Sequence, residues 1–185
     1  MEKLAALFIE WVHELCAKET YFAELDRLIL ENPEDNLLLE LETLCSAEDY
    51  DIWGKFWSAL EERITDRRTF EKELFNALGS FYDKYCMPDG ERDEIWARFG
   101  NDWESREDFF KETGKITLWQ FCERCFELGD SLDIDHKLKN VLMMPHYSFE
   151  NMDRYAGEFP QTDEEIIEEI RQTFRKTFDF YKEKK

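Results

Sequence analysis

Phe70-Glu71-Lys72-Glu73-Leu74-Phe75-Asn76-Ala77-Leu78-Gly79-Ser80-Phe81-Tyr82-Asp83-Lys84-Tyr85 is the stretch on which the fold turns. At about 100° per residue from Phe70, the side chains of Leu74, Phe75, Leu78, Phe81, Tyr82 and Tyr85 fall in one arc, and Lys72, Asp83 and Lys84 fall outside it. A half-buried strand would alternate with period two, which this stretch does not. The spacing predicts a core helix over residues 66–86, followed by a turn at Met87-Pro88-Asp89-Gly90.

The same period runs toward both termini, interrupted by only seven Gly and four Pro. Upstream, Leu4, Leu7, Phe8, Trp11, Val12 and Leu15 form one stripe, and Phe22, Leu25, Leu28 and Ile29 continue it or begin a second helix. Asn32-Pro33 reads as an N-cap with Pro at the first helical position of a segment ending at Leu44. Ser46-Ala47-Glu48-Asp49 reads as a capping signal for a helix carrying Ile52, Trp53, Phe56, Trp57, Leu60 and Ile64. Downstream, shorter helices are expected over 95–99, 105–112 and 117–128, closed by Gly100, Gly114 and Gly129 as C-terminal caps. Residues 133–142 look helical, whereas 143–161, between Pro145 and Pro160, lose the pattern. Thr162 and Glu165 form a capping box for a last helix carrying Ile166, Ile167, Ile170, Phe174, Phe178 and Tyr181. The expectation is one all-α domain spanning 1–185, an irregular bundle of about seven to nine helices.

A chain of 185 residues with 29 aromatic rings has material for a core without disulfide or metal staples. Its five cysteines, Cys16, Cys45, Cys86, Cys122 and Cys125, are odd in number and scattered among apolar neighbours, so they read as reduced core thiols. Met1-Glu2-Lys3 leads directly into an amphipathic pattern, with no basic n-region or cleavage site, and the apolar run Leu4 to Ile9 is too short to span a bilayer. Cytoplasmic residence is the corresponding expectation.

Charge is the outlying property: 44 acidic and 24 basic residues give a formal net charge of −20. Such a chain is repelled by nucleic acid and anionic membranes and attracted to basic surfaces. Residues 1–64 alone carry 16 acids and five bases. No Lys or Arg occurs from residue 28 to residue 54, where Glu31, Glu34, Asp35, Glu40, Glu42, Glu48, Asp49 and Asp51 all fall. A solvated acidic face with carboxylates at helix starts accounts for such a stretch; a docking face for a basic partner is the functional reading.

Candidates for chemistry are weaker. Cys122-x-x-Cys125 has redox and zinc spacing, but both thiols share the apolar half of a wheel with Leu118, Phe121, Phe126 and Leu128, and no second pair completes a metal site. Glu10-x-x-His13 has di-iron spacing without a second copy, and reads as a solvated face opposite the stripe. Asp133-Ile134-Asp135-His136 precedes a helical run and reads as an N-cap with dipole partners. Phosphate loops, Gly-rich dinucleotide turns and nucleophile elbows are missing. No cofactor and no metal are expected.

The stretch Asn32-Pro33-Glu34-Asp35-Asn36-Leu37-Leu38-Leu39-Glu40-Leu41-Glu42 resembles the Pro-x-Asp-His stretch and following Leu/Glu helix of the TorD-like redox-enzyme maturation chaperones, all-helical proteins that bind basic signal peptides. The resemblance covers eleven residues, has Asn36 where that family has His and lies much nearer the N-terminus, so no site residue is carried over from it.

The leading expectation is therefore a non-enzymatic interaction protein whose acidic helical surface binds a basic site on another macromolecule. Its concrete form is a nucleic-acid mimic that inhibits a nuclease, as anti-defence proteins do. The alternatives are a chaperone or immunity-type binder of a basic peptide or toxin, using Tyr147, Phe149 or Phe159, and an enzyme using Cys122/Cys125 or Asp133/His136.

Overall fold

Local capping chemistry and burial together set the helix boundaries in a computed structural model that describes residues 1–44, 50–86, 113–154 and 161–183. Eight helices and no strand occur among these residues: α1 Glu2–Val12, α2 Lys18–Glu31, α3 Asn36–Glu42, α4 Tyr50–Glu61, α5 Arg67–Tyr85, α6 Leu118–Ser131, α7 His136–Arg154 and α8 Asp163–Glu183. The protein is all-α. The turn at residues 87–90, the cap at Ser46 and the helices expected over 95–99 and 105–112 lie outside the described residues. The chain divides into two compact units, Met1–Leu78 with Thr177–Lys185, and Gly79–Lys176.

In the first unit, α1 packs against α2 and α4, and α2 against α3. The stripe of α1 is buried as expected, but so are Ala5, Ala6, Ile9 and Glu10, which makes α1 a helix buried on all sides. Glu10 is therefore not on a solvated face: α2 meets the stripe through Tyr21 on Phe8 and Trp11, and α4 comes to the other side through Trp53 on His13. Glu14 then adopts φ 55°. Its N–H donates to the Trp11 carbonyl, and the Leu15 N–H donates to the Glu10 carbonyl at 2.7 Å. That pair of bonds is the Schellman ending, with Glu in the left-handed position usually given to Gly. It places Leu15 in the core at zero exposure and separates α1 from α2. Trp11 then stacks on Tyr21 of α2 with ring centroids 4.9 Å apart.

Pro33 does not start α3. Residues 32–35 form a turn in which the Asp35 N–H donates to the Asn32 carbonyl, and Pro33 occupies the second turn position, where its fixed φ is favoured. The helix begins after Asp35, whose carboxylate accepts the Leu37 N–H at 3.0 Å. The helix read from Phe70 runs over Arg67–Tyr85, with Phe70, Leu74, Phe75, Leu78 and Phe81 buried. Asp66 caps it, accepting the N–H groups of Arg68 and Thr69. The Glu2 carboxylate accepts the Thr65 and Asp66 N–H groups and the Thr65 hydroxyl, which ties the start of α1 to the start of α5. Burial pushes the Glu2 carboxyl up, but these bonds and its own backbone N–H prevail and hold it at about 2.

In the second unit, α6 and α7 make the most extensive helix pair. Thr117 and Gln120 close a capping box at the start of α6. Gly129 is not a C-terminal cap: it lies inside α6, buried, where a Cβ would stand 2.9 Å from Met143 Cγ and 3.1 Å from Leu142 Cβ. The missing side chain lets α7 approach. Nor does the helical pattern stop at residue 143, because α7 continues through Pro145 to Arg154. Pro145 withdraws the N–H that the Val141 carbonyl would accept, and packing of Leu142 and Phe149 into the core outweighs that loss. Phe121 meets Phe81, Tyr82 and Phe174 in the same unit. Thr162 and Glu165 form the expected capping box of α8.

Candidate functional site

The base-free acidic stretch becomes the end of α2, a turn and α3. Glu31, at the last position of α2, is paired with Arg27 one turn earlier. Asp35 is half-buried, caps α3 and pairs with Arg63. The Arg63 hydrogen bond, set against slight burial, holds the Asp35 carboxyl below the usual range, aided by the guanidinium charge and the Leu38 and Leu37 amides. Glu34, Glu40 and Glu42 are exposed and meet no basic side chain among the described residues. Glu48 and Asp49 lie outside the described residues, as does the side chain of Asp51, whose backbone belongs to α4.

Two features here were not read from sequence. Arg63 comes from beyond the stretch and, with residues 32–36, lines an open depression of about 590 Å³ that carries the carboxylates of Glu34 and Asp35. A charge count along the chain places Arg63 nine residues past the stretch, so only the fold brings it to Asp35. Leu30 is 83% exposed and Leu39 38% exposed, large apolar side chains set among the carboxylates. Their positions two residues, about 200°, from buried Leu28 and Leu41 on the two wheels were a legible signal.

Elsewhere in the first unit, one buried acid is paired with cations and another is not. Glu24 is buried and held between Lys3 at 2.8 Å and Arg27 at 2.6 Å. Burial pushes its carboxyl up, and the two cations pull it below the ordinary value. Glu10 contrasts with it: both carboxylate oxygens are buried without a hydrogen-bond partner. Burial alone pushes this carboxyl well above the ordinary range. Burial and the proximity of Glu10 push the Cys16 thiol up to about 12, which removes it as a nucleophile. His13 is half-buried with its ring edge against Trp53, and burial lowers it to about 4.

The remaining candidates lie in the core or beside a helix start. Cys122 and Cys125 have zero exposure. Asp135 accepts the Lys137 N–H at 2.9 Å, ahead of α7, with Asp133 and His136 exposed. No group of three His, Cys, Asp or Glu side chains among the described residues has metal-holding geometry, and no helix among them is long and apolar enough to cross a membrane. Of the aromatics suited to peptide binding, Tyr147 is 42% exposed, Phe149 is in the core and Phe159 lies outside the described residues. No protein-family model, curated protein or solved structure matches the chain.

Proposed function

We propose that this chain is a non-enzymatic interaction protein whose α2–α3 shoulder docks on a basic, phosphate-binding surface of a nucleic-acid-processing protein. The observation that carries the reading is that Glu34, Glu40 and Glu42 are exposed with no counter-charge among the described residues, while Asp35 is fixed by the α3 cap and Arg63. Carboxylates carried on a short helix and the turn before it present negative charge without the entropy cost of ordering a mobile tail. A surface built to bind phosphates accepts such carboxylates in their place, with the same steep dependence on salt.

The test immobilises the full chain, exposes it to native host lysate at about 50 and 200 mM salt and adds competing DNA or RNA. The expected result is a basic nucleic-acid-binding protein retained at low salt, displaced by nucleic acid, and lost when Glu34, Glu40 and Glu42 are all changed to Gln. A partner indifferent to nucleic acid, or one that binds the triple variant as well as the parent, overturns the proposal.

A further inference from the structure

Helices α7 and α8 line a cleft of about 280 Å³ in the second unit, away from the residues used above. Asn140, Met144, Ser148 and Asn151 recur at intervals of four, four and three, so one face of α7 forms a wall. Ile166 and Ile170 of α8 supply apolar surface opposite, with Ile170 buried and Met144 54% exposed.

The polar groups are of two kinds. The Ser148 and Thr173 hydroxyls are turned back onto the carbonyls of Met144 and Glu169, so they are engaged within their own helices. The Asn140 amide likewise contacts His136 Nδ1 of its own helix at 3.3 Å, whereas the other two side-chain amides are different. Asn151 has no partner among the described residues, and Gln161 spends one donor on Glu169 at 3.2 Å. An amide offers both a donor and an acceptor, which matches the peptide group of an extended segment; a helix has no backbone groups to spare along its length. Glu169 is exposed, and its hydrogen bond comes from an uncharged amide, so its charge is not neutralised by any cation among the described residues. Anionic ligands are disfavoured there and a cation is favoured.

We infer that this cleft binds a short extended segment of a partner protein, one that presents a Lys or Arg to Glu169 and an apolar side chain to the surface made by Met144, Ile166 and Ile170. The volume lies at the lower edge of ligand pockets, so the segment anchors through one or two side chains. The amides of Asn151 and Gln161 hold its backbone. This inference is independent of the α2–α3 shoulder.

The experiment titrates the isotopically labelled full chain with a capped pentapeptide, Ala-Leu-Lys-Leu-Ala, and follows the side-chain amide signals of Asn140, Asn151 and Gln161 by NMR. Those signals are expected to shift together with α8 backbone signals near Glu169. Replacing the peptide Lys by Glu, or the chain's Glu169→Gln, is expected to weaken binding about tenfold or more, as for loss of a charge-assisted hydrogen bond. Thr173→Arg sets a cation one turn from Glu169 and is expected to block the site in a chain that still folds. Changing Glu34, Glu40 and Glu42 to Gln is expected to leave peptide binding unchanged, which keeps this outcome separate from that of the proposed function. Shifts spread over exposed acids and insensitive to Glu169→Gln, or no shifts at millimolar peptide, overturn the inference.

Discussion

Replacing Glu10 by Gln isolates the energetic consequence of a carboxyl buried without hydrogen-bond partners. The substitution keeps the shape of the side chain and removes its titration. In the fold, burial raises the Glu10 pKa well above the ordinary 4.5, so above pH 4.5 the unfolded chain loses a proton that the folded chain retains. Stability from this group is full below pH 4.5 and declines by about 1.4 kcal/mol per pH unit until the folded carboxyl ionises. His13 acts in the opposite sense, because burial lowers it from 6.5 to about 4. Its contribution is full above pH 6.5 and is lost as pH falls toward 4, again at about 1.4 kcal/mol per unit. In the parent the two slopes oppose above pH 4.5 for as long as the folded Glu10 keeps its proton, up to pH 6.5, where the His13 slope ends. In Glu10→Gln the His13 slope stands alone, so stability rises to pH 6.5 and then levels. Relative to the parent, the variant gains about 1.4 kcal/mol for each pH unit above 4.5 over which the folded Glu10 keeps its proton. Chemical denaturation of both proteins at half-unit steps from pH 5 to 8.5 measures this difference. A difference that does not change with pH, or a parent that becomes the more stable of the two as pH rises, refutes the reasoning.

Glu14→Gly relieves a left-handed backbone at the α1 ending and is expected to raise stability by about 1 kcal/mol in thermal or chemical unfolding. Gly129→Ala is expected to lower it by about 1–2 kcal/mol: the Leu142 Cβ contact at 3.1 Å belongs to a packed helix and cannot move aside, and the gain in helix propensity does not offset the overlap. Asp35→Ala removes the α3 cap and is expected to cost about 1 kcal/mol, while Asp35→Asn keeps an acceptor for the Leu37 N–H and costs less. Equal losses in the two Asp35 variants, measured by the same unfolding assay, would assign the effect to the Arg63 pair instead.

Periodicity over Phe70–Tyr85 and the Thr162/Glu165 box were legible because each depends on neighbours a few residues away. Glu10 was misplaced because a wheel shows which face is most apolar, whereas burial depends on how many elements surround the helix. The apolar run from Leu4 to Ile9 was the available sign that α1 is enclosed. Pro145 and Gly129 were read by their usual roles as breaker and cap; in α7 and α6 they are set by packing between helices, which leaves no local mark. Pro33 was likewise assigned to a helix start when Asp35, two residues on, supplies the stronger cap. At the candidate site, Glu34, Glu40 and Glu42 were visible as a run without bases. Arg63 was not, since it joins Asp35 across 28 residues of chain.

Leu30, 83% exposed at the end of α2, is the kind of side chain through which copies of a protein adhere to one another. Here it is followed by Glu34, with Glu40 and Glu42 on the next helix. Two copies meeting through this shoulder would bring like charges together before the leucines touched, so the acids act as gatekeepers against self-association. A surface with cations of its own meets no such barrier, and the same leucine is then available to it as a contact.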